Sequence, residues 1–402
     1  MSTTHRFGKA AIAFAAVAIL AAGCGSSDSS SSKGSSGGST SVSISAAELT
    51  SDFSAMKKLK PVADAGKGMV AVLLPDTTSS TRYVDYDEPY LKRALKAAGL
   101  SSSEYKVSNA QGSDDTMKTQ ADAAITQGAS VLIIDPNTPA GGAAIEADAK
   151  SKGVGVVDYD RLTLGGSKGR TYVSFDNVKV GQLIGKGEVE CITSWKVSKP
   201  NILVMDGAAT DNNASLFAQG YNGVLKPHFD SGEYVKVGEP AGTWTPSVAA
   251  TTFEQQYTAH PKMNAVVTPN DDNANAVIAQ LQRLQIPPKT FPTTGQDASL
   301  PGLQNILKGY QCGTVYKPIS QEAQAAVAAA LYLRAGQALP KSLVNGTTKD
   351  SESNTKVTSI LLTPIWVTAD NMAKTVVADN FRTASDICIS QLTAACSSAG
   401  IH

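Results

Sequence analysis

From Met69 onward, short apolar runs alternate with amphipathic stretches, and this rhythm constrains the fold more than any other feature of the chain. MVAVLLP (Met69–Pro75), YKVSNA (Tyr105–Ala110), VLIIDP (Val131–Pro136) and VGVVDYD (Val154–Asp160) read as strands. Between them, Glu88–Leu100, Thr116–Ala129 and Gly141–Gly153 carry helical spacing and stop at glycine or a neighbouring residue. Apolar runs without polar alternation suit strands covered on both faces. Strands separated by helices imply parallel βαβ units.

The rhythm then restarts. Helices are expected at Val178–Trp195, Asn213–His228, Val248–His260 and Asn273–Gln285, with strands at Asn201–Gly207, Tyr234–Glu239 and Asn264–Asn270 and a continuation through Thr290–Asp297. Two similar units in series predict an α/β fold of two lobes rather than one large sheet. After Cys312 come a strand (Gly313–Ile319), an alanine-rich helix (Gln321–Ala335), a polar loop (Asn345–Thr355) and a strand (Ser359–Val367). These are too few for a third domain and complete the two lobes, with the chain crossing between them more than once. Ligands of such sheets sit at the carboxyl ends of the strands, so facing lobes would surround a cleft.

The first residues carry His5, Arg6 and Lys9, then an apolar run from Ala10 to Ala22. This is the pattern of a secretory signal peptide, and it is short for a membrane span, which needs ~20 apolar residues. Leu20-Ala21-Ala22-Gly23-Cys24 is similar to a bacterial lipobox, with its Leu one place further from the Cys than usual. Cys24 is therefore expected to carry a lipid. The competing readings are an ordinary signal peptide with a chance Cys and a single-pass anchor. The Ser/Gly tract that follows suits a flexible linker off a membrane. Cys191, Cys312, Cys388 and Cys396 form an even set, which outside the cytosol suggests disulfides. Cys388–Cys396 is expected from proximity, leaving Cys191–Cys312. A zinc site competes, without a CxxC pair to support it.

The 35 basic and 35 acidic side chains cancel, so no basic surface for nucleic acid is expected. HExxH, GxSxG, a P-loop and a calcium-loop pattern are all missing. What recurs instead is the chemistry after each strand. Arg82 and Tyr83 follow the first; Asp160 and Arg161, then Asp211 and Asn213, then Asn270, Asp297 and Lys317 follow others. Planar hydrogen-bonding groups suit vicinal hydroxyls, and the aromatic faces of Tyr83 and Trp244 suit the C–H face of a pyranose. Each residue also has a plainer reading. Asn213 and Asn273 sit where helix caps occur, Asp160 and Arg161 are placed for an ion pair, and Trp244 for a surface anchor. The repetition, not any single residue, carries the inference.

VVDYDRL (Val156–Leu162), YVSFDNVKVG (Tyr172–Gly181), DNNASLFAQG (Asp211–Gly220), VLKPHFDSG (Val224–Gly232), TGQDASLPGLQNI (Thr294–Ile306), TVYKPI (Thr314–Ile319) and LLTPI (Leu361–Ile365) resemble the xylose-binding proteins of ABC sugar importers, within the ribose/galactose-type periplasmic binding proteins. The resemblance runs from about Met69 to Phe381. It implies two Rossmann-like lobes with parallel sheets, joined by a three-stranded hinge and closing over one monosaccharide. The hinge would cross near Ser174–Asn177, Lys317–Ile319 and Thr363–Ile365. The family's sugar ligands fall on Arg82, Arg161, Asp211, Asn213, Asn270, Asp297 and Lys317, and its aromatic partners on Tyr83 and Trp244. Xylose binders usually have Trp where Tyr83 stands. PDTTSSTR (Pro75–Arg82) is closer to relatives that accept several monosaccharides.

The expected organisation is a signal peptide (1–23), a lipidated Cys and tether (24–67), one lobe from 68–175 plus 318–362, a second from 176–317 plus 363–384, and a tail (385–402) stapled to itself. The expected role is that of a monomeric, extracytoplasmic, lipid-anchored receptor. It would deliver xylose, or a related aldopentose or aldohexose, to an ABC permease and its ATPase, with no cofactor, metal or nucleic acid and no bond made or broken. The alternatives are a sugar receptor for chemotaxis or a sensor kinase, a broad multi-sugar binder, and a sugar-modifying enzyme on this scaffold.

Overall fold

The computed structural model describes residues 42–402. The expected signal peptide, the lipidation site Cys24 and the first part of the tether lie outside the described residues. No helix among the described residues is long and apolar enough to cross a membrane.

In chain order the strands are β1 (Met69–Leu74), β2 (Tyr105–Asn109), β3 (Ala129–Ile134), β4 (Gly155–Tyr159), β5 (Thr171–Phe175), β6 (Asn201–Val204), β7 (Val235–Gly238), β8 (Ala265–Val267), β9 (Thr314–Tyr316), β10 (Gly346–Asp350), β11 (Thr355–Leu362) and β12 (Ile365–Val367). The first sheet is ordered β10-β11-β5-β4-β3-β1-β2, parallel except for the antiparallel β10–β11 pair. The second is β7-β6-β8, all parallel. Single bridges, Val266 to Thr293 and Gln296 to Val315, lead on to the antiparallel pair β9–β12. The stretch Thr290–Asp297 thus contributes bridges, not a strand.

The chain passes between the sheets three times, at 176, at 317–318 and at 363–364. The helix Ile319–Arg334 follows the second crossing and packs against β3, β4 and β5. Nearly every one of its residues is buried. Its alanines present little side-chain bulk, so the helix lies close to the sheet.

Other expectations are corrected as well. The tether does not extend to residue 67. From Val42 the chain is folded, and Ile44, Leu49, Phe53, Met56 and Leu59 are buried in one cluster with Leu91, Leu95, Val327 and Leu331. The Ser/Gly composition that marks the tract up to Thr40 gives way there to regularly spaced apolar residues. The expected polar loop Asn345–Thr355 contains β10, an edge strand whose side chains are Thr347, Thr348, Lys349 and Asp350 and so carry no apolar signal. The strand read as Ser359–Val367 is two strands, split at Thr363 and Pro364 and belonging to different sheets.

Nor is the C-terminal tail stapled only to itself. Ile387, Leu392, Cys396 and Ile401 are buried against Leu303 and Ile306. The sulfurs of Cys191 and Cys312 are 2.04 Å apart and those of Cys388 and Cys396 2.05 Å, so both expected pairs are formed.

If Val42–Lys67 is core, then Met56→Ala, which deletes a fully buried side chain, lowers stability by about 2–5 kcal/mol. Denaturant unfolding measures this; a tether residue would change nothing.

Candidate ligand-binding cleft

The loop after β1 is shaped by Asp76. One of its carboxylate oxygens accepts from the Thr78 and Ser79 amides at 2.7 and 2.6 Å, the other from the Ser79 hydroxyl at 2.6 Å. The chain then makes a π-helical turn, Tyr83–Asp87, before the α-helix Glu88–Ala97. A π-turn brings residues five apart onto one face. That spacing lets Arg82 hold Asp87 with two bonds, Nε to Oδ2 at 2.9 Å and Nη2 to Oδ1 at 2.8 Å. The same guanidinium donates to Glu322 at 2.7 Å and to Asp160 at 3.0 Å. The Tyr159 hydroxyl donates to Asp87. One Nη1 hydrogen of Arg82 is left over.

Asp160 follows β4 with φ 55°, in the left-handed region. Its carboxylate takes Arg82 on Oδ1 and the Tyr83 hydroxyl on Oδ2 at 3.2 Å, with Lys317 Nζ 3.9 Å away. Arg161 turns the other way. Its Nε lies 3.3 Å from Asp211 in the second lobe and 3.8 Å from Asp135 behind it. Asp160 and Arg161 therefore do not pair with each other.

In the second lobe Asp211 caps the helix Asn212–Asp230. It accepts from the Asn213 amide at 2.8 Å, while its other oxygen accepts from Trp244 Nε1 at 3.1 Å. Asn270 caps the helix Asp271–Arg283 through the Asn273 amide at 2.9 Å. The capping reading is right for this pair of helices, with Asp211 and Asn270 as the caps rather than Asn213 and Asn273. Trp244 is no surface anchor. Its ring packs where a side chain on Gly207 would stand, since a Cβ there would meet it at 2.2 Å, and it meets Phe217 edge-on. Asp297, at φ 93°, approaches Lys317 Nζ at 3.3 Å.

The structure brings all ten sequence-predicted side chains, from Arg82 to Lys317, to one small cavity of about 30 Å³. Ser79, Ser80, Phe217 and Gln296 also line it. Three of these had a readable signal. Ser80 lies two residues before Arg82, Gln296 adjoins Asp297, and Phe217 is one helical turn from Asn213. Asp87 and Glu322, which hold Arg82 from behind, had none, because neither follows a strand.

Burial pushes the Asp160 carboxyl up, but Arg82, Lys317, Arg161 and the Tyr83 hydroxyl together hold it below the usual range. Asp211 is raised by burial, with Arg161 opposing. Three buried polar atoms at the cavity, Arg161 Nε, Gln296 Oε1 and Asp297 Oδ1, have no hydrogen-bond partner of good geometry. A buried group left wholly without a partner costs about 1–3 kcal/mol, and the 3.3 Å contacts of Arg161 and Asp297 offset part of that cost. One donor opposite two acceptors fits hydroxyls, which donate and accept at one oxygen. No cluster of His, Cys, Asp and Glu fit to hold a metal occurs among the described residues.

A family model described as a periplasmic binding protein domain matches residues 70–338, and the chain belongs to that family. Its members are binding receptors, not enzymes. Among relatives, the D-xylose-binding periplasmic protein of Escherichia coli is 37% identical over 285 residues, covering 70% of this chain and 82% of the relative. The multiple sugar-binding periplasmic receptor ChvE of Rhizobium radiobacter is 30% identical over 350 residues, covering 81% and 94%. An ABC transporter solute-binding protein of Clostridium phytofermentans, solved with β-D-glucose, superposes with a TM-score of 0.70 at 26% identity, covering 80% of this chain and all of that one.

Burial, opposed by Arg82, raises Glu322 to about 8. A carboxyl raised on folding stabilises fully below its unfolded pKa of 4.5, and that contribution is lost as pH rises through about 8. The melting temperature of the wild type is therefore expected to fall from pH 5 to pH 8 more steeply than that of Glu322→Gln. Parallel melts of the two proteins across this range check it; equal slopes would remove Glu322 from the account.

Proposed function

We propose that this chain is the substrate-binding component of an ABC importer, capturing a monosaccharide between its lobes and presenting the closed form to a membrane permease. The observation that carries this reading is the set of buried groups, on the two sides of the cavity, that lack a well-formed hydrogen bond. Arg161 belongs to the first lobe, and Gln296 and Asp297 to the second. A polyol bridging them satisfies both lobes at once, and its preference for the joined arrangement shifts the hinge equilibrium toward closure. On this reading the ten residues line the space the ligand occupies, with Tyr83 and Trp244 supplying the aromatic faces.

D-xylose is the first candidate, supported by the identity to the xylose-binding relatives. A wider range is supported by the similarity to multiple-sugar binders. A lipid on Cys24, with the Ser/Gly tract as tether, would hold the receptor beside its permease on the outer face of the cell membrane. The protein would work as a monomer.

Thermal unfolding against a monosaccharide panel tests the reading. A ligand of the folded state adds about 2.7 kcal/mol at a hundredfold excess over its dissociation constant. D-xylose alone raising the midpoint fixes the substrate; D-xylose, D-glucose and D-galactose all raising it define a broad receptor. No rise with any sugar overturns the proposal. Arg161→Ala and Asp297→Ala each remove a charged partner from the cavity. They are expected to weaken sugar binding by about 2–5 kcal/mol while keeping a cooperative melt. Calorimetric titration reads the loss.

A further inference from the structure

Asn213 lines the cavity, yet both atoms of its side-chain amide are bonded to protein. Its Nδ2 donates to the main-chain carbonyl of Asp160 at 2.9 Å, and its Oδ1 accepts from Asn177 Nδ2 at 2.8 Å. The Tyr172 hydroxyl lies 2.9 Å from the same carbonyl and 3.2 Å from Asn213 Oδ1, with one proton for the two. Ser174 Oγ donates to the carbonyl as well, at 2.9 Å. Every one of these residues is buried.

The placement of the partners gives this network its meaning. Asp160 follows β4 and Tyr172 and Ser174 lie on β5, all in the first sheet. Asn177 stands at the first crossing, and Asn213 opens a helix of the second lobe. The Asn213–Asp160 bond thus joins one lobe to the other, through a carbonyl that already gathers donors from its own side. The carboxylate of that same Asp160 is held by Arg82 and Tyr83 at the cavity.

We propose that Asn213 is a positioning residue that latches the second lobe onto the Asp160 main chain, setting the closing equilibrium rather than choosing the sugar. The proposal rests on the sugar-receptor reading. It separates from that reading because a latch acts on closure whatever the ligand. Losing it lowers the fraction of binding-competent protein, and apparent affinity falls by that fraction for every ligand alike. A residue that reads hydroxyls would instead weaken some sugars more than others.

The test uses Asn213→Ala and Tyr172→Phe in the full chain. Tyr172 supports the network without lining the cavity, and its replacement by Phe keeps the ring. Calorimetry with D-xylose, D-glucose and D-galactose gives the affinities, and small-angle X-ray scattering without sugar gives the degree of closure. Asn213→Ala is expected to weaken each sugar that the wild type binds by the same factor, roughly tenfold. Tyr172→Phe is expected to give a smaller factor, again equal across the sugars. Both proteins should scatter as more extended particles than the wild type, with cooperative melts retained. Losses that differ more than threefold between sugars, or scattering identical to the wild type, overturn the latch. A wild type that takes none of the sugars overturns the receptor reading alone, because the scattering arm still decides the latch.

Discussion

A buried guanidinium is tolerable only where its charge is matched and its hydrogens are used, and the cleft of this protein is organised around one such group. Arg82 is almost wholly buried and meets Asp87, Asp160 and Glu322. These three come from the turn after β1, the end of β4 and the helix that follows the second crossing. One side chain therefore fixes three elements of the first lobe relative to one another. The π-turn supplies the geometry, because an ordinary α-turn would put Asp87 on another face from Arg82. With Arg82 held from behind, Asp160 is held in front, and Tyr83 is brought over it by its own hydroxyl.

Charge then spreads from this anchor across the cleft. Asp160, kept ionised by Arg82, draws Lys317, which in turn approaches Asp297. Arg161, turned away from Asp160, draws Asp211. Each lobe offers the other both signs of charge, so neither face repels its partner. These contacts are longer than good hydrogen bonds. A chain of strained or incomplete pairings of this kind is readily improved by a ligand that inserts hydroxyls between them, which is how a polar site avoids both self-sufficiency and outright repulsion.

The parts of the fold that were legible in the sequence are those where burial is uniform. β1, β3 and β4 are covered on both faces, so their apolar runs needed no context. The cleft residues were legible for a related reason. A parallel sheet delivers its strand ends to one edge, and each polar cluster after an apolar run could be placed there without knowing its neighbours. What escaped was whatever depends on a partner distant in the chain. β10 exists only because β11 pairs with it. Glu322 looks like any helical acid until the alanine-rich helix passes beneath β4 and β5. Phe53 and Met56 seem part of a linker until the helix Glu88–Ala97 covers them. The register of the π-turn follows from packing, and local composition does not announce it.

The C-terminal segment shows the same dependence at longer range. Phe381 stacks on Tyr86 with ring centroids 4.0 Å apart, and Arg382 lies over the Tyr86 ring and 3.8 Å from Asp85. Tyr86 sits in the π-turn between Arg82 and Asp87, so this contact bears on the backbone that presents Arg82 and Tyr83 to the cavity. Phe381 is in turn packed in the cluster that holds Ile387, Leu392 and Cys396, and the Cys388–Cys396 link keeps the end of the chain folded there. The last residues of the chain thus brace the turn that opens the binding site from the opposite lobe. A segment with no polar side chain lining the cleft cavity nonetheless helps set the position of the residues that have one.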